Sequence, residues 1–279
     1  FLRRLAEGFL NFSGPVPSIM AAATYLAMMG RFAGASGQAP VWYTTLMIYA
    51  AWAIITRIDT LRSGRIDFAI VSGMAAAGLA VAFKQSAALE VAFFGLVIAG
   101  LLLSSGSNRL HTFSYTGALA LISILPMAVT FGWYWHIGHL PELWQALVTS
   151  NFERLYVGTE ERILRFFVML SLLGLPLFFA ITGWLSLTGE QRRDPKALFI
   201  ASWAIVAIGS VASFPNIFYH YAIPILPPLC ILSAIFFAWP RIGWVGCVAV
   251  LSMSLFYGNT LNLTTRFRAH QAAPQLVEY

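Results

Sequence analysis

Charge is what this sequence has least of. Only 10% of its 279 residues are Asp, Glu, Lys or Arg, against 59% hydrophobic residues and a mean hydropathy of +0.75. Soluble domains carry about 25% charged residues, so water is not the main solvent of this chain. Cysteine is almost absent too. Cys230 and Cys247 both fall inside apolar runs, with no CxxC pair and no Cys/His zinc spacing, which leaves them as core thiols. No GxxxxGK[ST] loop and no GxGxxG opening a helix occurs, so there is no nucleotide-binding signature. No Ser-His-Asp or Cys-His order stands out. The net charge of +6 is no nucleic-acid footprint, because no basic run is longer than a pair; nucleic acid is not an expected partner. His136 and His139 stand three apart without a third ligand, so neither a divalent metal nor another cofactor is expected.

What the chain does have is apolar runs of about 17 to 25 residues that do not alternate, which fits membrane-spanning helices and excludes a barrel. The expected fold is all-α, a polytopic transmembrane bundle of about nine spans in one domain, residues 1–279. The spans run Pro15 to Gly30, Pro40 to Ile55, Phe68 to Phe83, Ala87 to Leu103 and Tyr115 to Trp135. Four more follow at Ile163 to Leu187, Leu198 to Ala212, Ile217 to Phe237 and Ile242 to Tyr257. The chain opens on Phe1, in a stretch that reads as a loop-to-helix junction, so it is expected to be the later part of a longer protein.

Strict alternation of the spans sorts the 17 basic residues 10 against 7. The short connections carrying Arg62 and Arg65, and Arg192, Arg193 and Lys196, set the direction and make the richer side cytoplasmic. Lys84, the polar segment His136 to Arg162 and the C-terminal tail then face outward.

The outward ends hold the candidate site. Lys84 sits between two spans with Gln85 and Ser86 beside it, where an ammonium suits a lipid-linked phosphate; a lysine snorkelling from a helix end is the bland alternative. Glu90 lies about one turn deeper. Intramembrane acids face a cavity or a partner, and Lys84 is the nearest base in sequence. In the long polar segment, Leu140 to Val148 reads as an interfacial helix with Leu143, Trp144 and Leu147 on its apolar face. Asn151, Glu153 and Arg154 follow; amides and carboxylates bind hydroxyls, and arginine binds phosphate. His220 and Tyr221 open the eighth span, which Pro224, Pro227 and Pro228 interrupt. Such breaks are tolerated only where protein or a cavity satisfies the freed carbonyls.

Three segments, in order, carry a resemblance. Gly78-Leu79-Ala80-Val81-Ala82-Phe83-Lys84-Gln85 resembles the "GLAxxxKQ" helix end of polyprenyl-phosphate-sugar-dependent C-type membrane glycosyltransferases. These form the family 39-like group, with the protein O-mannosyltransferases and the lipid A aminoarabinose transferase. Val148-Thr149-Ser150-Asn151-Phe152 is similar to their outer loop before a middle span. Tyr219-His220-Tyr221-Ala222-Ile223-Pro224-Ile225-Leu226-Pro227-Pro228 is similar to their "HYxLPLLPxL" helix and is the most specific of the three.

The resemblance covers roughly residues 10 to 240 and implies an enzyme of the outer membrane face. It would move a sugar from a polyprenyl-phosphate donor to a lipid, glycan or protein acceptor, with membrane lipids around it, in a bacterial inner membrane. The substrate-binding residues would be Lys84, Gln85, Asn151, Arg154, His220 and Tyr221. The catalytic base would be an aspartate in a first outer loop upstream of Phe1, so none is carried over. Where many members have an acid after the first span seen here, this chain reads Gly37-Gln38-Ala39-Pro40. A transporter or flippase of lipid-linked glycans would share the apolar composition, and would be expected to show repeated halves and paired broken helices. A membrane scaffold would need neither Lys84 nor His220.

Overall fold

A computed structural model describes residues 15–32, 38–106, 108–150, 157–214, 216–239, 242–246 and 248–252, with Arg3, Glu153 and Leu255 standing alone. Among them the chain is helical throughout, without a strand. Helix α1 is Val16–Arg31, α2 Ala39–Thr56, α3 Ile58–Arg62, α4 Phe68–Phe83, α5 Ala88–Ser104 and α6 Arg109–His136. Next come α7 Leu140–Trp144, α8 Thr159–Leu172, α9 Gly174–Ser186, α10 Gly189–Arg192, α11 Pro195–Ala212 and α12 Leu226–Phe237.

Local chemistry sets the starts. Asp67 caps α4 by accepting from the Ile70 N–H at 3.2 Å, and Asn108 caps α6 through Leu110 at 3.0 Å. At α11, Asp194 accepts from Lys196 at 2.7 Å, with Pro195 in the first helical position. Each cap satisfies a donor that the first turn would otherwise leave open.

Five helical segments are long and apolar enough to cross a membrane: Ala39–Thr56, Gln85–Ser104, Arg109–His136, Pro195–Ala212 and Tyr219–Phe237. That makes this a membrane protein. The expected nine spans are not all found among the described residues. Helices α1 and α4 match their expected limits within a residue or two, but each has 16 residues. At 1.5 Å per residue, that is about 24 Å, short of a hydrocarbon core of about 30 Å. The span expected as one helix from Ile163 to Leu187 is two, α8 and α9, meeting at 68° around Leu173. Pro176 accounts for the break: it has no N–H to give the turn before it, and its ring crowds the carbonyl four residues back. Counted as one broken span, the pair makes six. Of the ninth expected span, residues 247, 253, 254, 256 and 257 lie outside the described part.

Helix α12 is the central pillar. It packs against α9 on one side and α1 on another, while α2, α4 and α6 form a second layered group. The α4–α6 contact depends on Gly78. A Cβ there would stand 2.2 Å from the carbonyl oxygen of Ser123, and Ser123 in turn donates from Oγ to the Met74 carbonyl at 3.1 Å. Small residues are what let apolar helices approach this closely in lipid.

Because the clash would be with backbone, Gly78→Ala should push α6 off α4 and destabilise the protein by about 3 kcal/mol. Gly95→Ala, with open space around its Cβ, should cost nothing measurable. Thermal unfolding of the two variants in detergent compares them directly. Asp67 gives a second expectation. Burial pushes its carboxyl up, but hydrogen bonds from Arg57 and the Ile70 N–H outweigh this and hold it below the ordinary carboxylate range. A depressed acid stabilises the fold above its unfolded pKa of about 4, and the benefit fades as pH falls through the lower folded value. The unfolding-temperature gap between wild type and Asp67→Asn should therefore be full at pH 7 and close toward pH 3.

Candidate functional site

Helix α4 is apolar up to Phe83, and there the chain leaves the helix. Lys84 has an extended backbone (φ −156°, ψ 119°), although its N–H still reaches the Ala80 carbonyl at 3.0 Å. A 3-10 turn over Gln85–Ala87 then reverses the chain into α5. Lys84 is thereby presented from a corner rather than along a helix.

Its ammonium lies over the ring of Tyr221, 3.7 Å from the centroid, with the Phe214 ring at 5.9 Å. The ring quadrupole holds such a cation by about 0.5–2 kcal/mol, more as water is excluded. Other rings fix Tyr221 in place: Phe214 at 5.2 Å, Phe218 edge-on at 5.5 Å and His220 edge-on at 4.8 Å. His220 stacks on Phe218 at 5.7 Å and is within electrostatic reach of Lys84. Lys84, Gln85, His220 and Tyr221, named from sequence as binding residues, thus come together from two segments far apart in the chain. Asn151 and Arg154, named with them, lie outside the described residues. The same polar connection does arrive at this end of the bundle. The Val157 N–H donates to Asn216 Oδ1 at 3.2 Å, and Arg162 Nη2 donates to the Ala212 carbonyl at 2.7 Å, closing the C-terminus of α11.

One turn below the corner, Glu90 is 1% exposed. The candidate partner was Lys84; what Glu90 meets is the indole Nε1 of Trp203, which donates to Glu90 Oε2 at 2.6 Å. The difference follows from the corner, since the extended Lys84 backbone carries that side chain toward Tyr221. Ser210, two turns beyond Trp203 on α11, donates to the Ser86 carbonyl at 3.0 Å. Tyr43 of α2 is buried beside them, its hydroxyl facing that of Ser86 and within electrostatic range of Glu90 and Tyr221. The two hydroxyls do not reach hydrogen-bonding geometry, so Ser86 Oγ is buried without a satisfied partner. Sequence reasoning missed Tyr43, Trp203 and Ser210. A usable signal existed for two of them: Trp203 and Ser210 are seven apart, hence on one face of an apolar helix.

The interfacial segment is helical over its expected length but not α-helical throughout. Only Leu140–Trp144 is α-helical, and Gln145–Thr149 widens into a π turn. Of the expected apolar face, Leu143 is buried in the protein and Trp144 is exposed. A cavity of about 570 Å³ opens between this segment and α6, lined by Phe131, Leu140, Pro141, Trp144, Gln145 and Thr149. His139 Nδ1 sits 3.3 Å from Glu142 Oε1 on the exposed side. Among the described residues, no three of His, Cys, Asp or Glu gather as a metal site would require.

Set beside known proteins, the chain matches no family model, no curated protein and no solved structure. The site therefore has to be judged on its own chemistry: a cation and an imidazole at the end of a helical bundle, ringed by aromatics, above a buried polar cluster. Tyr221→Phe keeps the ring face under Lys84 and should therefore keep the cation–π contact. Tyr221→Leu should lower stability by about 1–2 kcal/mol through the lost cation–π contact, read from thermal unfolding in detergent.

Proposed function

We propose that this chain belongs to a membrane glycosyltransferase that takes a sugar from a polyprenyl-phosphate donor and passes it to an acceptor on the outer face of the membrane. The observation that supports this reading most is the meeting of Lys84 with His220 and Tyr221. The two motifs that resemble family 39-like C-type glycosyltransferases are distant in sequence and adjacent in space. In the reaction, the bond from the anomeric carbon to the phosphate oxygen breaks as the acceptor oxygen attacks. The acceptor proton goes to a base that we assign to no residue of this chain, and negative charge collects on the departing lipid phosphate. A fixed cation placed there lowers the barrier because it needs no reorganisation as the charge develops. In this reading Lys84 is that cation, Gln85 and His220 donate hydrogen bonds to phosphate oxygens, and Tyr221 holds the ammonium in place. The full count of nine spans, the bacterial inner membrane and the outward-facing site belong to the same proposal. So do the lipid, glycan or protein acceptor and the binding roles of Asn151 and Arg154.

A second reading is favoured by one specific observation. Flippases and other transporters use pairs of broken helices near the membrane midplane, and this fold has two interrupted spans that are neighbours. The α9 half of the bent pair packs on α12, with Ser233 Oγ donating to the Pro176 carbonyl at 3.2 Å. A transporter would move a lipid-linked glycan across proteoliposomes without breaking the sugar–phosphate bond.

Lys84→Ala should lower sugar transfer from polyprenyl-phosphate donors at least about 100-fold while leaving the amount of folded protein unchanged, and Lys84→Arg should keep part of the activity. Membranes carrying Lys84→Ala that turn over donor at the wild-type rate would remove the phosphate role. Translocation without transfer would establish the second reading.

A further inference from the structure

Glu90 is costly where it stands. A carboxyl sealed among apolar side chains in a membrane span loses its hydration whether it is paired or not, and a leucine would fill that place without the loss. Its position shows what the acid adds. Trp203 and Ser210 project from one face of α11, and each hydrogen-bonds to the start of the neighbouring span: Trp203 to the Glu90 carboxyl, Ser210 to the Ser86 carbonyl. Between those two bonds lie the Gln85–Ala87 turn and the first turn of α5. Lys84 is the residue just before that turn, and its ammonium is the group over Tyr221.

We infer that Glu90 is a positioning residue: with Trp203 and Ser210 it clamps the Gln85–Ala87 turn to α11 and so fixes where the Lys84 ammonium stands in the donor-phosphate site. The inference rests on the reading of Lys84 given above. The clamp has two points because one would leave the turn free to rotate about it. Trp203 at depth and Ser210 near the membrane surface are about 10 Å apart along the helix axis, enough to fix the direction of the turn as well as its place. Tyr43 closes the third side from α2, against Ser86 and Glu90. The indole does not depend on the carboxyl for its own placement, since its ring packs edge-on to Phe94 at 5.5 Å and against Phe199 at 6.3 Å. Trp203→Phe removes the N–H donor but also leaves a void where a fully buried indole stood, so Ser210→Ala, which deletes one hydroxyl, is the cleaner of the two variants.

The test uses the full chain in lipid nanodiscs and two readouts. One is the acylation rate of Lys84 by a water-soluble succinimidyl ester, followed by mass spectrometry. The other is binding of polyprenyl monophosphate presented in the same discs. Trp203→Phe, Ser210→Ala and Glu90→Leu should each speed Lys84 acylation about five- to tenfold and weaken polyprenyl phosphate binding by a similar factor, as expected for losing one buried hydrogen bond. Glu90→Gln, which keeps an oxygen for the indole N–H, should stay close to wild type in both. Unchanged acylation in Trp203→Phe and Ser210→Ala overturns the clamp, and these two variants decide the matter even if Glu90→Leu fails to fold. Faster acylation with unchanged polyprenyl phosphate binding leaves the clamp standing and removes the donor-phosphate role of Lys84.

Discussion

A peptide group inside a bilayer has no water to bond, and each one left unsatisfied costs several kcal/mol. Everything else in this protein follows from meeting that demand with helices. It also makes departures from the α-helix informative. Within the helical segments of the described residues there are three: the 3-10 turn Gln85–Ala87, the π turn Gln145–Thr149 and the 3-10 stretch Tyr219–Ile225. All three fall at one end of the bundle, where α4 and α6 finish and the segment leading into α12 begins. The opposite end, with Arg57, Arg62, Arg65, Arg192 and Arg193, is built from short caps and turns. Irregular backbone in a membrane protein is tolerated where protein or a water-filled cavity covers it, so its gathering at one end marks where the molecule departs from simple spanning.

Burial shows how that tolerance is arranged. Over an 18-residue stretch of Tyr219–Phe237, 94% of the residues are buried inside the protein, against 6% for a stretch of the same length in the similarly apolar Arg109–His136. The chain buries the span that opens on a 3-10 stretch and leaves the long α6 mostly exposed. Pro224 lies within the 3-10 stretch, and Pro227 and Pro228 occupy the opening turn of α12, where a missing N–H costs least. The long, peripheral α6 carries Pro126 instead, and there the Thr130 hydroxyl donates to the Pro126 carbonyl at 2.9 Å.

Much of this was legible from the residues. Unalternating apolar runs gave the helical class, but two starts were read late: the spans expected from Tyr115 and Leu198 begin at Arg109 and Pro195, behind the caps Asn108 and Asp194. Phe68 to Phe83 is the same helix in both. Two things were hidden. The break at Leu173 was obscured because a hydropathy run does not register direction, and Pro176 sits inside it without interrupting its apolar character. The partner of Glu90 was hidden because sequence offers only neighbours along the chain. Lys84 is six residues away and Trp203 is 113, and only the packing of α5 on α11 makes the distant one the nearer. The site was legible as motifs and not as contacts: Lys84 and Tyr221 could each be singled out, but nothing linear says that one lies on the other.

That contact has an electrostatic consequence. Had Lys84 paired with Glu90, the two charges would have cancelled, and the corner would offer little to an incoming anion. Both groups are instead engaged by aromatic partners: the ammonium by the face of Tyr221, the carboxyl by the edge of Trp203. A ring face holds a cation without neutralising it, because its quadrupole carries no net charge. An indole N–H likewise satisfies a carboxyl oxygen without supplying a counter-charge. Separating the two in this way seats the Lys84 side chain on a ring and the Glu90 carboxyl on an indole N–H, instead of one on the other. A surface lysine whose position fluctuates would have to pay the ordering entropy on meeting a phosphate. One already seated on Tyr221 has met part of that cost in folding, so in the proposed donor-phosphate role the ring would contribute alongside the lysine.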